Sequence, residues 1–135
     1  MVNIFTHLVR VLDQHIDALG HVNNVVYLQW AEQLAWRHSE ALGLGIDAYQ
    51  ALDAAMVARQ HSLTYLVACV LGDELQLQTW LGERNALHLH RHYRFVRVAD
   101  GVVVFEGQTD WVCIRLSTGR AQRMPIAFKV AYGVG

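Results

Sequence analysis

From Asn24 to Leu42 the core-forming residues recur every three or four positions. Tyr27, Trp30, Ala31, Leu34, Ala35, His38 and Leu42 share one face, and Gln29, Glu32, Gln33, Arg37 and Glu40 form the opposite stripe. No other stretch of the chain keeps a helical period for so long. The spacing predicts one long helix, capped at its start by Asn23 or Asn24 and closed by Gly43 as the C′ residue. Trp36 falls on the polar stripe, which implies that the outer face is covered as well, by another subunit. The remaining segments are constrained by having to pack against this helix.

Those segments read as strands. Residues 3–11, NIFTHLVRV, form the first, and residues 44–55 are a loop or a short second helical turn. Residues 57–69, 75–84, 86–98 and 102–116 follow as strands, separated by turns such as LGDE and ADG. An STGR turn then leads into a short strand that ends at Met124, before Pro125. Such short turns predict antiparallel pairing of consecutive strands. One strand, one long helix and four or five further strands make an α+β domain with the helix across the concave face of the sheet. Without repeats or linkers, residues 1–135 are expected to form a single domain.

Composition and end-to-end hydropathy add further constraints. Charged residues make up 17% of the chain, against about 25% in ordinary globular proteins. So little charge implies a homo-oligomer, in which outer strands pair with another subunit. The formal net charge of −1 argues against a nucleic-acid partner. The N-terminus lacks the pattern of a signal peptide, and no apolar run reaches the roughly 20 residues that span a bilayer. A cytoplasmic protein without membrane insertion is the expectation. Cys69 and Cys113 lie in strand-like apolar runs without CxxC spacing and read as buried free thiols. Ten arginines stand beside a single lysine, Lys129. They read as ordinary surface charge, or, for Arg91, Arg94 and Arg97, as ligands for phosphate.

The turn before the helix, HIDALGHVNN at residues 15–24, holds more polar chemistry than a connector requires. Aspartate and asparagine favour turns and caps, so each residue has an ordinary structural reading. The combination supports a chemical one. Helix N-terminal amides are unpaired and carry the positive end of the macrodipole, so they can stabilise a developing oxyanion. Asp17, a few residues earlier, can act as a base or a nucleophile, and Gly20 permits a tight backbone turn.

The stretch HIDALGHVNNVVYLQWAEQLAW resembles the opening of the hotdog-fold acyl-CoA thioesterases, the YbgC/FadM and 4-hydroxybenzoyl-CoA thioesterase group. Asp17, Gly20, His21, Asn23, Asn24, Tyr27 and Glu32 fall on its recurring positions. LTYLVACVLGDELQLQTWL resembles the family's tyrosine-containing strand and GD turn, and GQTDWVCIRLSTGRAQRMP its last long strand. The resemblance implies a hotdog fold, one long central helix wrapped by a five- to six-stranded antiparallel sheet. It implies a homodimer or homotetramer with the active site at the subunit interface. The implied reaction is hydrolysis of an acyl-CoA thioester to a carboxylic acid and coenzyme A, with no cofactor and no metal.

In that reading Asp17 is the catalytic carboxylate, either nucleophile or general base, and the N–H of Asn24 or Asn23 polarises the carbonyl. Gly20, His21, Asn23 and Tyr27 are expected at the substrate, with His21 chiefly orienting the loop and Tyr27 chiefly core. His15 stands where many relatives carry a second aspartate, although a histidine occurs there in FadM-like members. Glu32 matches a family glutamate but belongs by spacing to the polar stripe. The HVNN sequence with His15 leans toward aliphatic, medium- to long-chain acyl groups. An aromatic acyl group lined by Tyr27, Trp30 and Tyr65 stays open, as does an acyl carrier protein as donor.

His88, His90 and His92 share one strand face at spacings of roughly 6.6 Å, too far apart to meet one ion together. Three other functions compete. A hotdog hydratase or dehydratase would pair a histidine with a second acid in motifs that have no counterpart here. A non-catalytic acyl-thioester-binding module would leave the carboxylate of Asp17 without a task. A purely structural oligomerisation protein would leave the polar turn unexplained.

Overall fold

The face of the long helix finds its partner in the computed structural model, which describes residues 3–135. The elements run β1 (Phe5–Arg10), a 3-10 turn (Asp13–His15), α1 (Asn24–Ala41), α2 (Ile46–Leu52), β2 (Ala54–Tyr65), β3 (Glu74–Arg84), β4 (His88–Arg97), β5 (Val103–Arg115) and α3 (Ile126–Tyr132). The five strands form one antiparallel sheet in the order β1-β3-β4-β5-β2. Strand alternation then decides what α1 meets. On β4, Leu89, Arg91, Tyr93 and Phe95 are buried, and the residues between them are more exposed. Tyr27, Trp30, Ala31 and Leu34 of α1 share a core with Leu75, Leu77, Tyr93, Phe95 and Phe105 of the sheet. This is the expected α+β architecture with a central helix. A second core gathers Tyr49 of α2, Phe128 and Tyr132 of α3, and Met56, Leu89 and Cys113 of the sheet.

Several expectations are corrected. β2 and β3 are consecutive but do not pair, because β2 lies at the far edge beside β5. The three strand spacings between them amount to roughly 14 Å, and residues 66–73 span that distance across the end of the sheet. Strand character therefore ends at Tyr65, and Cys69 lies in the crossing segment, buried and free like Cys113 in β5. The short strand before Pro125 shrinks to a single bridge between Ile114 and Ala121. The chain then forms α3, whose seven residues are too few to show a helical period.

The outer face of α1 is covered at Trp36 by this chain's own α2, with the Tyr49 ring 5.3 Å away. Trp36 still keeps 40% of its surface exposed. Leu42, expected on the buried face, is 37% exposed because it is the C-cap, where the helix leaves the sheet.

Candidate active site

The turn before α1 closes on itself. Asp17 N–H donates to the His21 carbonyl at 2.8 Å, Gly20 N–H donates to the Asp17 carbonyl at 3.1 Å, and Ile16 bridges Val22. Gly20 makes this possible at φ +78°, a conformation that a Cβ would strain. The hairpin is anchored on both sides. Val22 N–H donates to the Cys69 carbonyl at 3.0 Å and Asn23 N–H to the His15 carbonyl at 2.9 Å. His15 accepts the Leu12 N–H on Nδ1 at 2.9 Å and sets its ring edge against Trp30, so it holds the turn in place.

Backbone hydrogen bonds thus fix Asp17 and leave most of its carboxylate free. Oδ1 accepts the Leu19 N–H at 2.9 Å, and Oδ2 has no protein partner among the described residues. At the helix start, Asn23 is extended and its Oδ1 accepts the Val25 N–H at 3.1 Å. Val26 N–H returns to the Asn23 carbonyl at 2.9 Å. The N–H of Asn24, first residue of the helix, meets no acceptor among the described residues. Asn24 is tied instead through its carbonyl, which accepts the Tyr65 hydroxyl at 3.2 Å.

Asp17, His21, Asn23 and Asn24 line one cleft of about 420 Å³, with Leu19 and Val22 beside them. Tyr27 and Tyr65 form its inner wall, and Leu66, Val67 and Ala68 of the crossing segment close the other side. Tyr27 is 3% exposed and sits among Tyr65, Phe105 and Trp30 at centroid distances of 5.2–5.8 Å. Burial holds its phenol far above the ordinary range and also raises the thiol of neighbouring Cys69, so both stay protonated at neutral pH. Every expected site residue except Gly20 reaches the cleft, and Gly20 shapes the turn behind it. Trp30 is not part of the lining. The crossing segment was not anticipated, because the apolar run Leu66–Cys69 continues the strand-like stretch that begins at residue 57.

The other candidates lie elsewhere. Glu32 Oε1 is 3.8 Å from His61 Nε2, and His61 Nδ1 contacts Thr109 Oγ1 at 2.7 Å, all apart from the cleft lining. Arg91, considered for phosphate, is 2% exposed beneath α1, since its position on β4 alternates with the outer face. Arg97 is engaged by the carboxylate of Asp100. Arg94 Nε donates to Gln78 at 2.7 Å, and its guanidinium lies 5.1 Å from the Trp80 ring centroid.

The three histidines of β4 alternate with its buried residues. His90 is held by Gln108 and Asp110, whose hydrogen bonds raise its pKa, while His92 stacks on Trp80. No three metal-ligating side chains converge among the described residues.

Comparison with known proteins places this geometry in context. Residues 9–131 match the thioesterase-like superfamily. The long-chain acyl-CoA thioesterase FadM of Escherichia coli (strain K12) is 28% identical over 116 residues, covering 84% of this chain and 85% of that protein. Protein THEM6 of Danio rerio is 30% identical over 94 residues, 70% of this chain. The match spans 46% of THEM6, so this chain corresponds to about half of that relative. Among solved structures, the Staphylococcus aureus protein SAV2348, determined in complex with CoA, superposes with a TM-score of 0.92 at 20% identity. That superposition covers 98% of this chain and 84% of the other, and shows a shared fold.

Proposed function

Since the chain belongs to the thioesterase-like superfamily and has its hotdog fold, we propose that it is an acyl-CoA thioesterase. It converts an acyl-CoA thioester and water into a carboxylic acid and coenzyme A. One observation carries this reading: the free edge of the Asp17 carboxylate and the open N–H of Asn24 line the same cleft.

The thioester carbonyl oxygen accepts the Asn24 N–H at the positive end of the helix dipole. One such donor contributes roughly 10²–10³ in rate. Asp17 Oδ2 then either attacks the carbonyl carbon or takes a proton from a water that does so. Direct attack breaks the C–S bond, expels the coenzyme A thiolate and leaves a mixed anhydride, which water hydrolyses. In the water route the tetrahedral intermediate collapses with the same leaving group, and the proton held by Asp17 passes to the thiolate. Asn23 caps the helix and sets the direction of the Asn24 N–H. Gly20 shapes the turn, His21 orients it at the rim, and Tyr27 backs the acyl group.

A cleft of about 420 Å³ lies within the roughly 300–1,000 Å³ usual for small-molecule sites. The apolar wall of Leu66, Val67 and Ala68 supports an aliphatic, medium- to long-chain acyl group. The similarity to the long-chain enzyme FadM points the same way. The low charge content and the unpaired outer edges of β1 and β2 support a homodimer or homotetramer. No helix among the described residues is long and apolar enough to cross a membrane.

The test is an acyl-CoA panel from acetyl to palmitoyl plus benzoyl, read by thiol release, with wild type and Asp17→Asn side by side. Turnover by wild type that falls by orders of magnitude in a folded Asp17→Asn supports the assignment, and the panel names the acyl class. Binding of every substrate without turnover favours an acyl-thioester-binding module. Equal activity in the two proteins removes Asp17 from the mechanism.

A further inference from the structure

Arg91 is the largest fully buried side chain among the described residues and lies outside the cleft described above. Its engaged hydrogen bonds both come from Nη1, to His38 Nδ1 at 2.9 Å and to Thr79 Oγ1 at 3.1 Å. Both acceptors are neutral: His38 uses its lone pair toward Arg91, and Thr79 passes its own proton to the His92 carbonyl at 2.8 Å. Among the described residues no carboxylate pairs with Arg91, and its electrostatic neighbours are the phenols of Tyr93, Tyr132 and Tyr49. A guanidinium cannot shed its charge in a protein, and a buried charge without a counterion is strongly disfavoured.

Beside it lies a cavity of about 30 Å³, lined by Arg91, Ser39, Tyr49, Trp111 and Tyr132, with half-exposed Trp36 among the apolar residues that complete it. We propose that this cavity is the seat of a small monovalent anion of halide size, bound by Arg91 as its counterion. The volume admits an occupant of this size and nothing chain-like, since a single water needs roughly 10–15 Å³.

The chemistry of the lining selects an anion over water. Ser39 Oγ contacts the Tyr132 hydroxyl at 2.9 Å, and Tyr132 contacts the Tyr49 hydroxyl at 2.7 Å. Each contact consumes one hydroxyl proton, so this trio retains one proton to donate elsewhere. Trp111 Nε1 is a further buried donor that completes no well-formed hydrogen bond, with the Tyr93 hydroxyl as a polar neighbour in the same position. Water would leave the guanidinium charge of Arg91 uncompensated, and the lining holds no carboxylate to balance it. Cations are repelled by Arg91. An acyl chain is far too large. The site shares no lining residue with the proposed thioesterase cleft, so it stands or falls independently of that assignment.

The experiment compares thermal unfolding in sodium chloride, bromide and gluconate at matched ionic strength. It is paired with crystals soaked in bromide and measured for anomalous scattering. Wild type should gain roughly 4–6 °C in chloride or bromide at ten times the half-saturating concentration, with no matching gain in gluconate. Arg91→Met should lose the halide-specific gain, and bromide should give an anomalous peak between Arg91, Trp111 and Tyr132. If Arg91→Met does not fold, Trp111→Phe replaces it and should need a several-fold higher halide concentration for the same gain. Equal responses to the three salts, an unchanged halide gain in the variant, or no bromide at Arg91 would each overturn the proposal.

Discussion

Two polar assemblies lie along the same helix, about four turns or roughly 21 Å apart, and they use their hydrogen bonds in opposite ways. At the first turn, Asp17, His21, Asn23 and Asn24 are held by their main chain and face an open cleft of about 420 Å³. Near the last turns, His38 and Ser39 meet Arg91, Tyr49 and Tyr132 in a network of side chains around a cavity of about 30 Å³. Backbone anchoring leaves side-chain atoms and one helix amide free for a substrate. Side-chain anchoring spends those atoms on one another and ties α1, α2, α3 and the sheet together. The first arrangement suits turnover. The second suits stability.

The sharpest way to break this contrast is Asp17→Asn. The amide keeps Oδ1 as acceptor for the Leu19 N–H, so the turn and the melting temperature should persist while the proposed nucleophile or base is lost. We expect kcat/KM on the best acyl-CoA to fall by about 10²–10⁴-fold, measured by thiol release. A variant that unfolds but keeps its turnover number would mean that the first-turn assembly is structural, like the second.

The same contrast explains what could be read from the sequence. The cleft lining is local: Asp17, His21, Asn23 and Asn24 fall within ten residues, and hairpin and cap form from neighbours, so turn chemistry and helix period bring them to the start of α1. The long helix and four of the five strands were legible for the same reason, with bounds shifted by one or two residues. The β2 run was found but extended too far, because Leu66–Cys69 continues its apolar pattern while the chain already crosses the sheet. The second assembly is non-local, joining residues from His38 to Tyr132. Alternation in HLHRHYRFVR sets Arg91 on the face of Leu89, Tyr93 and Phe95, but nothing local says which residues it meets there. Sheet order decides that, and short turns favoured the wrong β2–β3 pairing.

The second prediction addresses the buried assembly through pH. Burial, reinforced by Arg91, lowers the pKa of His38 to about 4 from 6.5. Its native form therefore resists protonation that the unfolded chain accepts. The associated stability is fully present above pH 6.5, declines as the pH falls toward 4, and does not change further below that. A shift of this size corresponds to at most about 3 kcal/mol. Urea unfolding from pH 7 to pH 4 should show a shallower decline in His38→Asn than in wild type. Parallel curves would show that His38 is not the proton acceptor in that window.

A third, smaller effect concerns the cap that organises the cleft. Asn23→Ala removes the acceptor for Val25 N–H and should cost about 1 kcal/mol of stability. Because the cap also sets the direction of the Asn24 N–H, kcat should fall more than KM rises. A change confined to stability would separate capping from catalysis and weaken the oxyanion role of that amide.

The smallest expected effect tests where the cleft ends. Tyr65 donates its hydroxyl to the Asn24 carbonyl at 3.2 Å and is 42% exposed, so this contact competes with water. Its ring packs on Tyr27 and Phe105, and Tyr65→Phe preserves that packing. The hydroxyl should therefore contribute no more than about 0.5–1 kcal/mol, and kcat/KM should change by less than about fivefold. A larger loss, carried by KM, would mean that the hydroxyl meets the acyl-CoA instead of only steadying the helix. In that case Tyr65 would belong with the groups left free for substrate, and the open assembly would extend from the first turn of α1 onto the end of β2.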